Sequence, residues 1–158
     1  MSTIPLTPAV SQLPTPFIES TRAVFSAMLG AELGLTDTCR CRRFHSPFDV
    51  SGVIGFSGSI KGMLVIGMDK PVAFAIAEEL LGYRPTDIDA EVFDMVGELA
   101  NMIGGNAKER MGDANIALGL PTVVSGQSYN IAFHSDNQLY LLCFETPWGP
   151  ISVEFGLK

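Results

Sequence analysis

The sequence predicts an α+β domain in which helices cover a mainly antiparallel sheet. Three observations carry that expectation. Apolar residues recur at helical spacing in three stretches, strand-like runs fall in two groups around them, and turn signals separate the runs. The order is helix, strands, helix, long helix, strands.

Taken along the chain, "MSTIPLTPAVSQLPTP" is polar and broken by proline. It has no basic n-region and no apolar core, so it does not read as a secretory signal. We assign residues 1–16 as a lead-in and 17–158 as a single domain. Thr15 and Pro16 suit a helix start, threonine as the cap and proline in the first turn. Ile18, Phe25 and Leu29 then recur at helical spacing, with Gly30 or Gly34 as the stop. "CRCRRFHS" reads as a short strand or extended edge. "DVSGVIGFSG" and "KGMLVIGMD" flank the turn "SGSIKG" and predict an antiparallel hairpin.

Asp69 and Pro71 open a second helix, whose apolar Phe74, Ile76, Ala77, Leu80 and Leu81 lead to a closing Gly82. "RPTDID" leads into the long helix, and after Gly112 come "LPTVVSG", "SYNIAF", "LYLLCFE" and "ISVEFG" as strand candidates. The triplet "VSG" occurs at residues 50–52 and again at 124–126, each time leading into a strand pair after a helix. That echo suggests two pseudo-duplicated half-domains.

Composition narrows the function. Of 158 residues, 47% are hydrophobic and 17% charged, which suits a folded chain burying roughly 70% of its extended surface. The net charge of −7, with no large basic patch, disfavours a nucleic-acid partner. No apolar run reaches the ~18 residues of a membrane span. Three cysteines, two of them in "CRCRR", suit reduced thiols, so the expected location is cytoplasmic.

The stretch "EVFDMVGELANMIGGNAKERM" holds Gly97, Gly104 and Gly105 inside a helix, each costing about 1 kcal/mol relative to alanine. On a helical wheel Val92, Met95, Val96, Leu99, Met102 and Ile103 gather on one side to pack on the sheet. Asp94, Glu98, Asn101, Gly105 and Lys108 align on the other. Asn101 has Gly97, Glu98, Gly104 and Gly105 as its neighbours three and four positions away. The glycines then border the polar stripe, in a trough that another surface enters closely. The plainer alternative is a solvated stripe with glycines that admit a neighbouring element, and wheel geometry alone leaves both open.

The run Asp94-x-x-x-Glu98-x-x-Asn101, followed by "MIGGNAKERM" and "GLPTVVSG", closely resembles the CheC/CheX/FliY phosphatases of bacterial chemotaxis. The single motif and the chain length resemble CheX in particular. In the first helix, "FIESTRAVF" offers Glu19 but has Arg22 where a second motif would have asparagine, so one site is carried over.

The resemblance implies hydrolysis of an aspartyl-phosphate on a CheY-like receiver domain. Asn101 would position the attacking water, and Glu98 would pair with the receiver's lysine. Asp94, Gly97, Gly104, Gly105 and Lys108 would support the contact. An acyl phosphate is labile, and the receiver supplies Mg²⁺, so the partner chiefly places a water in line. A carboxamide can donate to and accept from that water without adding negative charge beside the phosphoryl group. The chain needs no cofactor of its own on this reading. Relatives of the CheX type also form dimers with a sheet continued across both subunits, so a homodimer is expected. A non-catalytic adaptor of the same fold, docking on receivers or the flagellar switch, is the alternative.

Other candidates are weaker. Cys39-x-Cys41 with His45, and His134 or Cys143, fits no strong zinc spacing. Arg40, Arg42 and Arg43 read as a solvated edge, "SGSIKG" lacks a phosphate-loop pattern, and Trp148 in "TPWGP" reads as a rigid turn tucking its indole onto the sheet.

Overall fold

The computed structural model describes residues 14–41, 48–126, 129–134 and 136–158. In chain order these form α1 (Thr15–Leu29), β1 (Gly34–Cys41), β2 (Val50–Gly58), β3 (Gly62–Met68), α2 (Lys70–Leu81), α3 (Ala90–Met111), β4 (Ile116–Leu118), β5 (Thr122–Ser125), β6 (Gln138–Thr146) and β7 (Gly149–Leu157). The strands make one antiparallel sheet in the order β1-β6-β7-β3-β2, and β4 and β5 share the outer edge of β2.

The hairpin of β2 and β3 forms as its sequence predicts. Gly58 turns the chain with a φ of +98°, where a β-carbon would meet the Asn115 carbonyl oxygen at 1.9 Å. Alternation then sets the faces. Ile54, Leu64, Phe155 and Tyr140 are register partners across four strands, and the first three are buried on the helix side. Phe17 of α1 stacks on Phe155 at 3.9 Å between ring centres and meets Phe56 edge-on at 6.1 Å. Burying one such ring contributes about 1.5–3 kcal/mol. The hairpin of β6 and β7 turns at Thr146, whose Oγ1 donates to the Gly149 carbonyl at 2.7 Å and accepts from the Trp148 N–H at 3.0 Å. Trp148 is tucked against the core, as the turn predicts.

The half-domain duplication is visible in the topology. Reading α1-β1-β2-β3 against α3-β5-β6-β7, the central neighbours β3 and β7 correspond, as do β2 and β6. Each half then lends its first strand to the other: β1 pairs with β6, and β5 pairs with β2. The "VSG" echo is corrected by the same pairing. Ser51 of the first copy faces Val124 of the second across β2 and β5, so the copies are partners and not equivalents.

Two further expectations are corrected. The segment "SYNIAF" forms no strand over its described residues 129–133. Tyr129 instead bonds Ser51 through its hydroxyl at 2.7 Å, and Phe133 lies over Gly156, so the segment covers the sheet face away from the helices. Thr15, assigned to the lead-in and as a cap, is already helical, with Pro14 at the cap position and no side-chain cap bond. The side chains of Cys39, Arg40 and Cys41, and all of Arg42, Arg43 and His45, lie outside the described residues.

Candidate functional site

Helix α3 carries the predicted stripe, and its ends explain how it tolerates three glycines. Asp89 caps it, its carboxylate accepting from the Val92 N–H at 3.0 Å. Glu91 sits in the first turn, Lys108 and Arg110 in the last, and Gly112 closes it in the left-handed region. Those charges match the helix dipole at both ends. Val92, Met95, Val96, Leu99 and Ile103 are buried as the wheel requires, while Met102 is half-buried.

The placement of two glycines beside the open stripe is corrected. Gly97 and Gly104 are buried together with Ala100 and Ala107, a line of small residues at helical spacing. A β-carbon on Gly104 would stand 2.9 Å from Cγ2 of Ile54, and one on Gly97 would stand 3.3 Å from Cγ2 of Val123. The close surface is therefore the protein's own sheet and the strand after Pro121. Gly105 differs: it is half-buried and would bring a β-carbon no nearer than 3.7 Å to Leu118.

The polar stripe is open. Asp94 and Glu98 are exposed, and Asn101 and Lys108 are half-buried. Among the described residues none of these side chains has a hydrogen-bond or ion-pair partner within the chain. The Asn101 carboxamide is thus free to hold a water, and the Glu98 carboxylate is free to take a cation from outside. The α1 counterpart is already engaged. Glu19 pairs with Arg110 at 3.0 Å across the contact of α1 with α3, and Arg110 also donates to Asn106 at 2.6 Å.

Asp94 and Glu98 form a crest between two grooves, each about 440 Å³. One side is walled by Phe93, Gly97, Pro121 and Val123. The other is floored by Met28, Leu81, Met95 and Met102, with Glu91 on its rim. Sequence reading missed Met28 and Leu81 as site residues, since only the fold brings the ends of α1 and α2 beside α3. Among the described residues, no three His, Cys, Asp or Glu side chains group as a metal site, and no helix is long and apolar enough to cross a membrane.

Comparison with known proteins gives the family of the chain. The family model described as "Chemotaxis phosphatase CheX" matches residues 50–145. A CheC-like superfamily protein from Shewanella sp. PV-4 is 32% identical, with 97% of this chain and 99% of that one covered and a TM-score of 0.85. The chemotaxis protein CheX from Vibrio vulnificus is 30% identical over 92% of this chain and 98% of its own, with a TM-score of 0.83. The CheX–CheY–BeF3–Mg²⁺ complex from Borrelia burgdorferi shares the fold at 22% identity, covering 91% and 96% with a TM-score of 0.75. Among curated proteins no sequence matches.

Proposed function

This chain belongs to the CheX chemotaxis phosphatase family, and from that premise we propose that it hydrolyses the phospho-aspartate of a CheY-like receiver domain. The observation that carries the reading is the open face of α3. It presents Glu98, exposed and unpaired, less than one turn before Asn101 on a helix anchored firmly from behind. The Borrelia burgdorferi relative, solved as a complex with CheY, supports a receiver as the partner.

The chemistry asked of these residues is modest. The receiver's own Mg²⁺ neutralises the phosphoryl oxygens, and the receiver's aspartate carboxylate is a good leaving group, so the remaining need is a water held in line. The Asn101 amide N–H donates to that water or its oxygen accepts from it, adding no charge that would repel the phosphoryl group. The Glu98 carboxylate pairs with the receiver's lysine and sets the register of docking. Gly105 and Lys108 continue the face along which the receiver lies. Two copies of the chain act as a homodimer with separate sites, each working in the cytoplasm.

The test is the decay of several acetyl-phosphate-labelled receivers with and without this protein. Accelerated loss of phosphate from at least one receiver is the expected result. Binding to receivers without acceleration would replace the phosphatase with an adaptor.

A further inference from the structure

The carboxylate crest has one flank that the proposed chemistry leaves unexplained. The groove beside it, about 440 Å³, has an apolar floor in which Met28 of α1 and Leu81 of α2 are 41% and 38% exposed. Exposed large hydrophobics are few among the described residues, and two of them lie in this one groove. Its electrostatics are one-sided. Glu91, Asp94 and Glu98 line it, and no lysine or arginine does. The carbonyl ends of α1 and α2 both point to this end of the molecule, capped by Gly30 and Gly82, and neither helix has a basic residue in its last turn. Unsatisfied helix C-termini carry partial negative charge that a cation complements.

From these observations we infer that the groove between α1, α2 and α3 seats a lysine- or arginine-bearing apolar segment of the receiver, next to the part that meets Glu98. The inference rests on the proposed phosphatase reading and extends it, because Glu98 belongs both to the crest and to the groove wall. A partner whose cation reaches Glu98 covers this groove in the same encounter. The methionine floor adapts to different apolar side chains, while the carboxylates and helix ends demand positive charge. Asp94 thereby gains a role: it holds the groove wall one turn before Glu98. The segment that fits is amphipathic and basic, and receivers lacking one are poor substrates.

Steady-state dephosphorylation of a responsive receiver tests this with Met28→Ser, Leu81→Ser and the double variant, exposed positions whose change spares the core. The expected result is a rise in KM of about tenfold for the double variant, with kcat changed far less, as loss of a docking anchor requires. Asp94→Asn should raise KM and flatten its dependence on salt between low and high ionic strength. An unchanged KM in the double variant, alongside a wild-type protein that still accelerates hydrolysis and an Asn101→Ala variant that does not, overturns the groove alone. A double variant whose mass in light scattering falls while KM stays constant assigns the groove to a second copy of the chain and also overturns it. If no receiver loses phosphate faster with the wild-type protein, the phosphatase reading fails and this inference falls with it.

Discussion

Gly52 of β2 lies so close under Ala100 of α3 that a β-carbon on it would stand 3.1 Å from the Ala100 Cβ and 2.8 Å from the Val96 carbonyl oxygen. Helix and sheet meet there almost backbone to backbone. That contact presses the buried line Gly97, Ala100, Gly104 and Ala107 onto the sheet and holds the opposite face, with Glu98 and Asn101, outward. A rigid support of this kind is what a positioned water requires.

The two adjacent glycines should therefore respond in opposite ways to substitution. Gly104→Leu forces side-chain atoms into Ile54 and should cost about 1–3 kcal/mol through overpacking, more than its gain in helix propensity. Gly105→Ala meets only Leu118 at ordinary contact distance and should gain about 0.5–1 kcal/mol. Chemical denaturation of both variants checks the signs. Equal destabilisation by both would contradict the assigned faces.

Much of this is legible in the sequence, and the limits have physical causes. Helix periodicity, Asp89 and the flanking Gly82 and Gly112 locate the long helix and the elements around it. The turns in "SGSIKG" and "TPWGP" locate the hairpins. The faces of Gly97 and Gly104 are not legible, because a residue without a side chain has no polarity to place on a wheel. Nor is the pairing of Thr38 with Leu142, two strands from different halves of the chain. "SYNIAF" misled because aromatic and apolar residues that cover a sheet face resemble those that enter a sheet. The open stripe is legible in position, but its two flanking grooves depend on Met28 and Pro121, which only folding brings there.

Glu154 gives the fold a pH dependence. It sits on β7 between Val65 and Leu141, only 4% exposed, and burial pushes its carboxyl up from 4.5 to about 9. The folded chain thus keeps a proton that the unfolded chain loses. Its contribution to stability is fully present below pH 4.5, declines as pH rises, and is gone above about 9. The slope from this one group is at most about 1.4 kcal/mol per pH unit. Glu154→Gln should remove that slope and leave the variant more stable than wild type at pH 8. Denaturation at several pH values decides it, and identical pH profiles for the two proteins would sink the idea.

The sheet ends in β1 on one side and in β4 and β5 on the other, and the described residues supply no further strand for those edges. Unpaired strand edges invite a second chain. Light scattering at micromolar concentration should give twice the chain mass of 17.0 kDa. A mass of one chain would remove the homodimer from the reading.

Glu98 and Asn101 should separate docking from chemistry, although they share one face of α3. Asn101→Ala removes a group that acts on water, so accelerated hydrolysis should fall by about 10²-fold or more while receiver affinity stays within about twofold. Glu98→Ala removes one partner of a charge pair in the contact, so it should weaken affinity and turnover together, with the loss of affinity shrinking at high salt. Gly105→Leu adds bulk to the face along which the receiver lies and should raise KM while leaving α3 folded. Calorimetric binding to the receiver, run beside the phosphate-loss assay, distinguishes the three. The decisive comparison is Asn101→Ala, because its backbone, its helix and its neighbours are all retained. Near wild-type acceleration by that variant would leave Glu98 as a docking residue only and make the protein an adaptor on receivers.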